Sequence, residues 1–157
     1  MRSTIVVMGF LAAVGCSDRA SSPPSPLAAA ARADGCRKAE LGCPRPIFAV
    51  RELDPALAYY RDQLGFRIDW KYGEPPDFAS VTRSHTTIFL CHQCQGTPGT
   101  GWLWVFARDV DKLHRDLVAK GARVVMPPTD MPWGTRDMHV SDRDGNVVRF
   151  GGEPGRD

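Results

Sequence analysis

Val50-Arg51-Glu52-Leu53-Asp54 and Ala107-Arg108-Asp109-Val110-Asp111 read as two copies of one element. With these segments aligned, Ala56 falls on Leu113 and Tyr60 on Leu117, and a one-residue gap sets Gly65-Phe66-Arg67 against Gly121-Ala122-Arg123. Each half then follows one plan: an apolar strand, an acidic turn, a helix of about ten residues closed by glycine, and further strands. Two copies are too few for a solenoid and suit a duplicated module.

Working outward, residues 46–51 form a short apolar strand, and Asp54-Pro55 predicts a helix start, with Asp54 as N-cap and proline in the first helical position. Leu57, Tyr60 and Leu64 share one helical face, and Gly65 ends the helix. Residues 66–72, 77–83 and 87–91 are the remaining strands of the first half, followed by the breaker-rich loop 95–101. Residues 102–106 open the second half. Asp109 caps a helix with Val110, Leu113 and Leu117 on its apolar face, and residues 123–126, 138–140 and 147–150 complete the set. Gly145 is the positive-φ residue of the turn Asp142-Arg143-Asp144-Gly145-Asn146. The fold class expected is α+β, two βαβββ modules in one domain over residues 44–152.

The residues before that domain read as an address. Arg2 precedes an apolar run over residues 4–14, too short to span a bilayer and suited to a signal-peptide core. The run ends in Ala13-Val14-Gly15-Cys16, with polar Ser17 and Asp18 after it. This resembles a bacterial lipobox, although Ala13 stands where leucine is usual. It implies that residues 1–15 are removed and that Cys16 carries lipid. Residues 16–43, with their helix breakers at 21–26, are then a flexible tether. The implied location is the cell envelope, facing the periplasm, and the outer membrane in a Gram-negative cell because Ser17 follows the cysteine.

The cysteine count is compatible with export. Of five cysteines, removing Cys16 leaves Cys36, Cys43, Cys91 and Cys94, an even set that can pair in more than one way. A zinc site and a redox-active Cys91-His92-Gln93-Cys94 pair are the sharper alternatives to plain disulfides. The charge balance excludes one class of partner. Twenty basic against 18 acidic residues leave a net charge of +2, too little for charge-driven nucleic-acid binding.

Three stretches carry a family resemblance: Tyr59-Tyr60-Arg61-Asp62-Gln63-Leu64-Gly65-Phe66, then Met131-Pro132-Trp133-Gly134, then Asp142-Arg143-Asp144-Gly145-Asn146-Val147-Val148-Arg149-Phe150. In this order, inside a duplication, they resemble the vicinal-oxygen-chelate superfamily in its glyoxalase and bleomycin-resistance branch. Enzymes of that superfamily hold a divalent metal on strands of both modules. The resemblance puts three of the ligand positions at Arg45, Trp102 and Arg149, none of which is a metal ligand. The expectation is therefore no metal, no cofactor and no catalysis. Glu52 and Asp109 are explained as strand-end and helix-cap residues, and His85, His92, His114 and His139 are scattered.

Alternation places Trp102, Trp104 and Phe106 on one face of their strand, the face on which the related enzymes hold their ion. Trp133 borders the same pocket by resemblance, and Arg136 and Arg149 add positive charge. The expected ligand-binding residues are thus Trp102, Trp104, Trp133, Arg136 and Arg149, for an aromatic or amphipathic small molecule. The resemblance also implies a homodimer with clefts between subunits. The function expected is a membrane-tethered binding protein that sequesters its ligand. The alternatives are a metal-dependent lyase or dioxygenase of the glyoxalase superfamily, or a structural lipoprotein domain whose tryptophans fill the cavity.

Overall fold

The computed structural model describes residues 42–154. The expected signal peptide, Cys16, Cys36 and nearly all of the tether lie outside the described residues. The first half comprises β1 (Ile47–Val50), α1 (Leu53–Asp62), β2 (Arg67–Gly73), β3 (Pro76–Arg83) and β4 (Thr86–His92). The second comprises β5 (Trp102–Phe106), α2 (Val110–Ala119), β6 (Arg123–Asp130), β7 (Arg136–Ser141) and β8 (Val147–Gly152). Each half makes one four-stranded sheet, in the orders β1-β4-β3-β2 and β5-β8-β7-β6. In both, the first strand runs parallel to the last and the other pairs are antiparallel. The α+β fold of two βαβββ modules is as the sequence implies.

Two boundaries differ from expectation. Helix α1 begins at Leu53, with Glu52 at the N-cap in an extended conformation and making no side-chain cap. Asp54 lies inside the first turn, where its carboxylate accepts from Lys71 Nζ at 2.6 Å. Pro55 is tolerated there because the first-turn N–H groups of a helix have no partner to lose. Strand β6 runs on to Asp130 through Pro127 and Pro128 instead of stopping at Met126. It is the outermost strand of its sheet, where a missing N–H costs no ladder bond, and its register shifts between Met126 and Thr129. By contrast, Asp109 caps α2 as expected, accepting from Lys112 N at 2.7 Å.

Each sheet turns one face to its helix. Phe48, Val50, Leu57, Tyr60, Leu64, Val81, Ile88 and Leu90 of the first half join Val110, Leu117, Met138, Val140, Val148 and Phe150 of the second in a single buried cluster. Polar contacts connect the halves beside it. Tyr59 Oη donates to Ser141 O at 2.8 Å and accepts from Arg123 N at 2.8 Å. Asn146, fully buried, donates through Nδ2 to Ala49 O at 2.9 Å, and its Oδ1 accepts from Gly99 N and Gly101 N. The turn from Asp142 to Asn146, read in the sequence as a hairpin, thus also clips β1 and the inter-half loop to the second sheet. Gly145 adopts φ +105° in it.

Cys91 and Cys94 are joined in a disulfide with Cα atoms 5.8 Å apart, and Cys43 is disulfide-bonded as well. Among the described residues no helix is long and apolar enough to cross a membrane.

Candidate ligand-binding site

The face of each sheet turned away from its helix is where the two halves diverge in chemistry. In β5, Leu103 and Val105 pack against the core, so alternation sends Trp102, Trp104 and Phe106 to the opposite face. There they remain 61%, 49% and 63% exposed, a degree that sets them apart from core tryptophans. The next strand inward, β8, places Arg149 opposite Trp104 and Gly151 opposite Phe106. On β7, His139 lies opposite Arg149 and Asp137 opposite Gly151.

These side chains interlock. Arg149 Nε donates to Asp137 Oδ2 at 3.0 Å, and its Nη2 forms a further short ion pair with the same oxygen. The guanidinium also lies 5.1 Å from the centroid of the Trp133 ring, a cation–π distance. Trp102 meets His139 edge-on, with centroids 5.5 Å apart. Gly151 is required here, because a Cβ in its place would collide with both Asp137 Oδ1 and the Trp104 indole nitrogen. Burial raises the pKa of Asp137. The hydrogen bonds from Arg149, with help from Thr135 and Trp133, overcome this and hold the carboxyl below its ordinary value. His139 is held below the usual imidazole range by burial and then by the Arg149 charge, so it is neutral at pH 7.

The same face of the first half is aromatic. Trp70, Phe78 and Phe89 form a triangle with centroid separations of 5.4 to 5.7 Å. Phe89 lies opposite Ile47 in the position that Arg149 holds opposite Trp104. Beside the triangle, Asp69 Oδ2 accepts from Ser80 and Thr82 at 3.0 and 2.6 Å.

Of the expected ligand-binding residues, Trp102, Trp104, Trp133 and Arg149 come together on one face of the second sheet. Arg136 does not join them. It shares the helix-side face of β7 with Met138 and is clamped by Asp111 at 2.8 and 3.0 Å and by Asp130 at 2.9 Å. Sequence reasoning missed Asp137 and Thr135 because β7 was read as residues 138–140. Extending its alternation backward from Val140 and Met138 puts Asp137 on the face of His139. It also missed Trp70, Phe78 and Phe89, which the duplicated register, carried from Arg149 back to Phe89, would have found. A recess of about 360 Å³ lies at the seam of the halves, among Phe66, Arg83, Leu113 and Phe150, with Phe106 of the aromatic row at its edge.

A divalent metal does not fit the donor set. Trp102 and Arg149 offer no lone pair, and the adjacent Asp137 is already engaged by a guanidinium. Among the described residues no group of three His, Cys, Asp or Glu side chains converges as a metal site would require.

Comparison with known proteins places this geometry in context. The family model for the Glyoxalase/Bleomycin resistance protein/Dioxygenase superfamily matches residues 44–150. Among solved structures, the chain is similar to TioX from Micromonospora, with 22% identity, a TM-score of 0.61, and coverage of 71% of this chain and 100% of that one. It is similar to a superfamily member from Sphaerobacter thermophilus, with 27% identity, a TM-score of 0.58, and coverage of 71% and 98%. A lactoylglutathione lyase from Agrobacterium tumefaciens is likewise similar, with 21% identity, a TM-score of 0.59, and coverage of 71% and 92%. No curated protein matches the chain.

Proposed function

Because the chain belongs to the Glyoxalase/Bleomycin resistance protein/Dioxygenase superfamily, we propose that it binds and sequesters a flat, partly apolar small molecule on the sheet faces turned away from the helices. One observation carries the reading: Trp102, Trp104 and Phe106 stand exposed in a row on such a face. Rings of this size left in water mark a binding surface more often than an idle one. The aromatic triangle of the first half offers a complementary wall, and two copies of the chain bringing unlike faces together would enclose the ligand in a dimer. No metal is part of this proposal, since the donors around Arg149 and Trp102 do not suit one. The lipobox-like Ala13-Val14-Gly15-Cys16 supports tethering of the protein to the envelope membrane.

A screen of planar aromatic compounds against the purified protein, read by intrinsic tryptophan fluorescence, tests the binding claim. At least one compound is expected to shift the emission, and Trp102→Ala together with Trp104→Ala to abolish the shift. A screen without any response, or a response indifferent to both substitutions, overturns it. Sedimentation of the same sample reads the dimer. Membrane fractionation of Cys16→Ala reads the anchor: unchanged membrane association would refute lipidation at Cys16.

A further inference from the structure

The two halves treat the start of their helices differently. Arg51, Glu52, Pro55 and Ala56 of the first half correspond, in the duplicated register, to Arg108, Asp109, Lys112 and Leu113 of the second. Each set borders a recess that a turn of the opposite half helps to line. At the first set this is the long turn from Asp142 to Asn146, which brings Asp144 Oδ1 to within 3.0 Å of Arg51 Nη1. At the second it is only the link Ser84-His85 between β3 and β4. The short link leaves more room: the recess measures about 360 Å³, against about 210 Å³ at the first set. It also brings no carboxylate to Arg108, which has neither an ion pair nor a hydrogen bond among the described residues.

Positive charge gathers at this recess. Arg83, half-buried, gives Nη1 to Leu64 O at 2.6 Å and makes no other hydrogen bond among the described residues. Lys120 stands beside it, since a Cβ on Gly65 would lie 3.4 Å from Lys120 Nζ and 3.6 Å from Arg83 Nη1. The acids nearby are already engaged. Asp109 caps α2 through Lys112 N, while Asp116 is paired with Lys112 Nζ at 2.7 Å and feels Lys120 and Arg83 only at longer range. Arg83 and Arg108 are thus left without a carboxylate at contact distance among the described residues. The floor is apolar, formed by the buried rings of Phe66 and Phe150 together with Leu113. Guanidinium groups pair with carboxylates in a two-pronged geometry that a neutral amide does not match.

We propose that this recess is a second ligand site, distinct from the face of Trp102 and Trp104, and that it takes a small carboxylic acid with an apolar body. The carboxylate meets the guanidinium groups of Arg83 and Arg108, as Asp144 meets Arg51 in the other half. The body rests on Phe66, Leu113 and Phe150. The volume suits a small molecule, since ligand pockets begin at roughly 300 Å³. A bare anion would leave the apolar floor uncovered, and a neutral apolar molecule would leave the guanidinium groups unmatched. The N-terminus of α2 plays no part, because Asp109 already occupies it.

Hexanoate, hexanamide and acetate test it, each titrated into isotope-labelled protein at neutral pH and followed by NMR. Hexanoate has no ring to stack, so it reports on the recess rather than on the aromatic row. It is expected to shift the backbone amide signals of Ser84, Thr86 and Leu113, and to bind about tenfold more tightly than either other compound. Arg108→Gln, at an exposed side chain with no hydrogen bond or ion pair to lose, should bring hexanoate down to the affinity of hexanamide. Trp102→Ala together with Trp104→Ala should leave hexanoate binding as it was. Absence of those shifts, equal affinity for hexanoate and hexanamide, or a preference that survives Arg108→Gln overturns the proposal. Acetate binding as tightly as hexanoate also overturns it, by reducing the recess to a site for any anion. Loss of hexanoate binding in the double tryptophan variant would move the ligand to the aromatic face and overturn it as well.

Discussion

Tyr60 donates its phenol hydroxyl to Asp142 Oδ2 at 3.2 Å, joining the helix of the first half to the last turn of the second. Both residues are buried, and the remaining oxygen of Asp142 accepts from the backbone N–H groups of Asp144, Gly145 and Asn146. Burial raises the pKa of Asp142, although the hydrogen bonds of the turn pull it back. Tyr60→Phe removes one donor to this carboxylate and keeps the ring packing. It is expected to cost about 1–2 kcal/mol in a urea unfolding experiment.

Asn146 is the more demanding position. Its side chain satisfies Gly99 N, Gly101 N and Ala49 O at once. Asn146→Ala strands all three backbone groups and should cost on the order of 3–5 kcal/mol, read by the same unfolding experiment. A loss near that of an ordinary surface substitution would show that the clip does not join the halves.

Trp102 tests exposure against packing. At 61% exposed it leaves no large cavity when truncated, so Trp102→Ala is expected to cost about 1 kcal/mol or less. A core tryptophan would cost ~3–5 kcal/mol. Thermal or urea unfolding separates the two, and the larger value would mean that the aromatic row fills the fold instead of lining a site.

Asp137 makes stability depend on acidity. Its folded pKa is below the ordinary carboxyl value of 3.8, so the stabilisation from its pairing with Arg149 is fully present above 3.8 and is lost as pH falls through the lower folded value. Asp137→Asn leaves Arg149 without a counter-charge and should cost about 3 kcal/mol at neutral pH. The difference between the two proteins should then narrow as pH drops below 3.8. Asp142, whose raised pKa acts in the opposite sense, is common to both proteins and cancels in the comparison. A difference independent of pH would show that the pair is not ionic.

The Cys91–Cys94 disulfide closes a loop of only a few residues, so the chain entropy it removes from the unfolded state is small. Replacing both cysteines by alanine is expected to cost about 2 kcal/mol or less in urea unfolding, with ligand response unchanged. A larger loss, or a lost response, would show that the bridge shapes the site.

The duplicated pattern was readable because it consists of local signals. Glycines at 65 and 145 take the positive φ that ends a helix and turns a hairpin, Asp109 caps its helix, and apolar residues recur at helical and strand periods. Trp102, Trp104 and Phe106 were legible for the same reason, since alternation along one strand is a property of that strand alone. The misreadings came where a neighbour decides. Pro127 and Pro128 stay in β6 only because no strand lies beyond it. Arg136 turns from the expected pocket because β7 starts early enough to present it to Asp111 on the helix side.

The sequence by itself determined the element order, the repeat of the module and the shared face of the aromatic row, since these follow from short-range periodicity and turn chemistry. Only the tertiary structure decided which residues share the site. Phe89 and Arg149 become counterparts through parallel pairing with strands about 40 residues earlier, and Arg149 meets Asp137 across an antiparallel pair. Register between distant strands is set by how two faces of a sheet divide between core and solvent. That division exists only once the chain has packed.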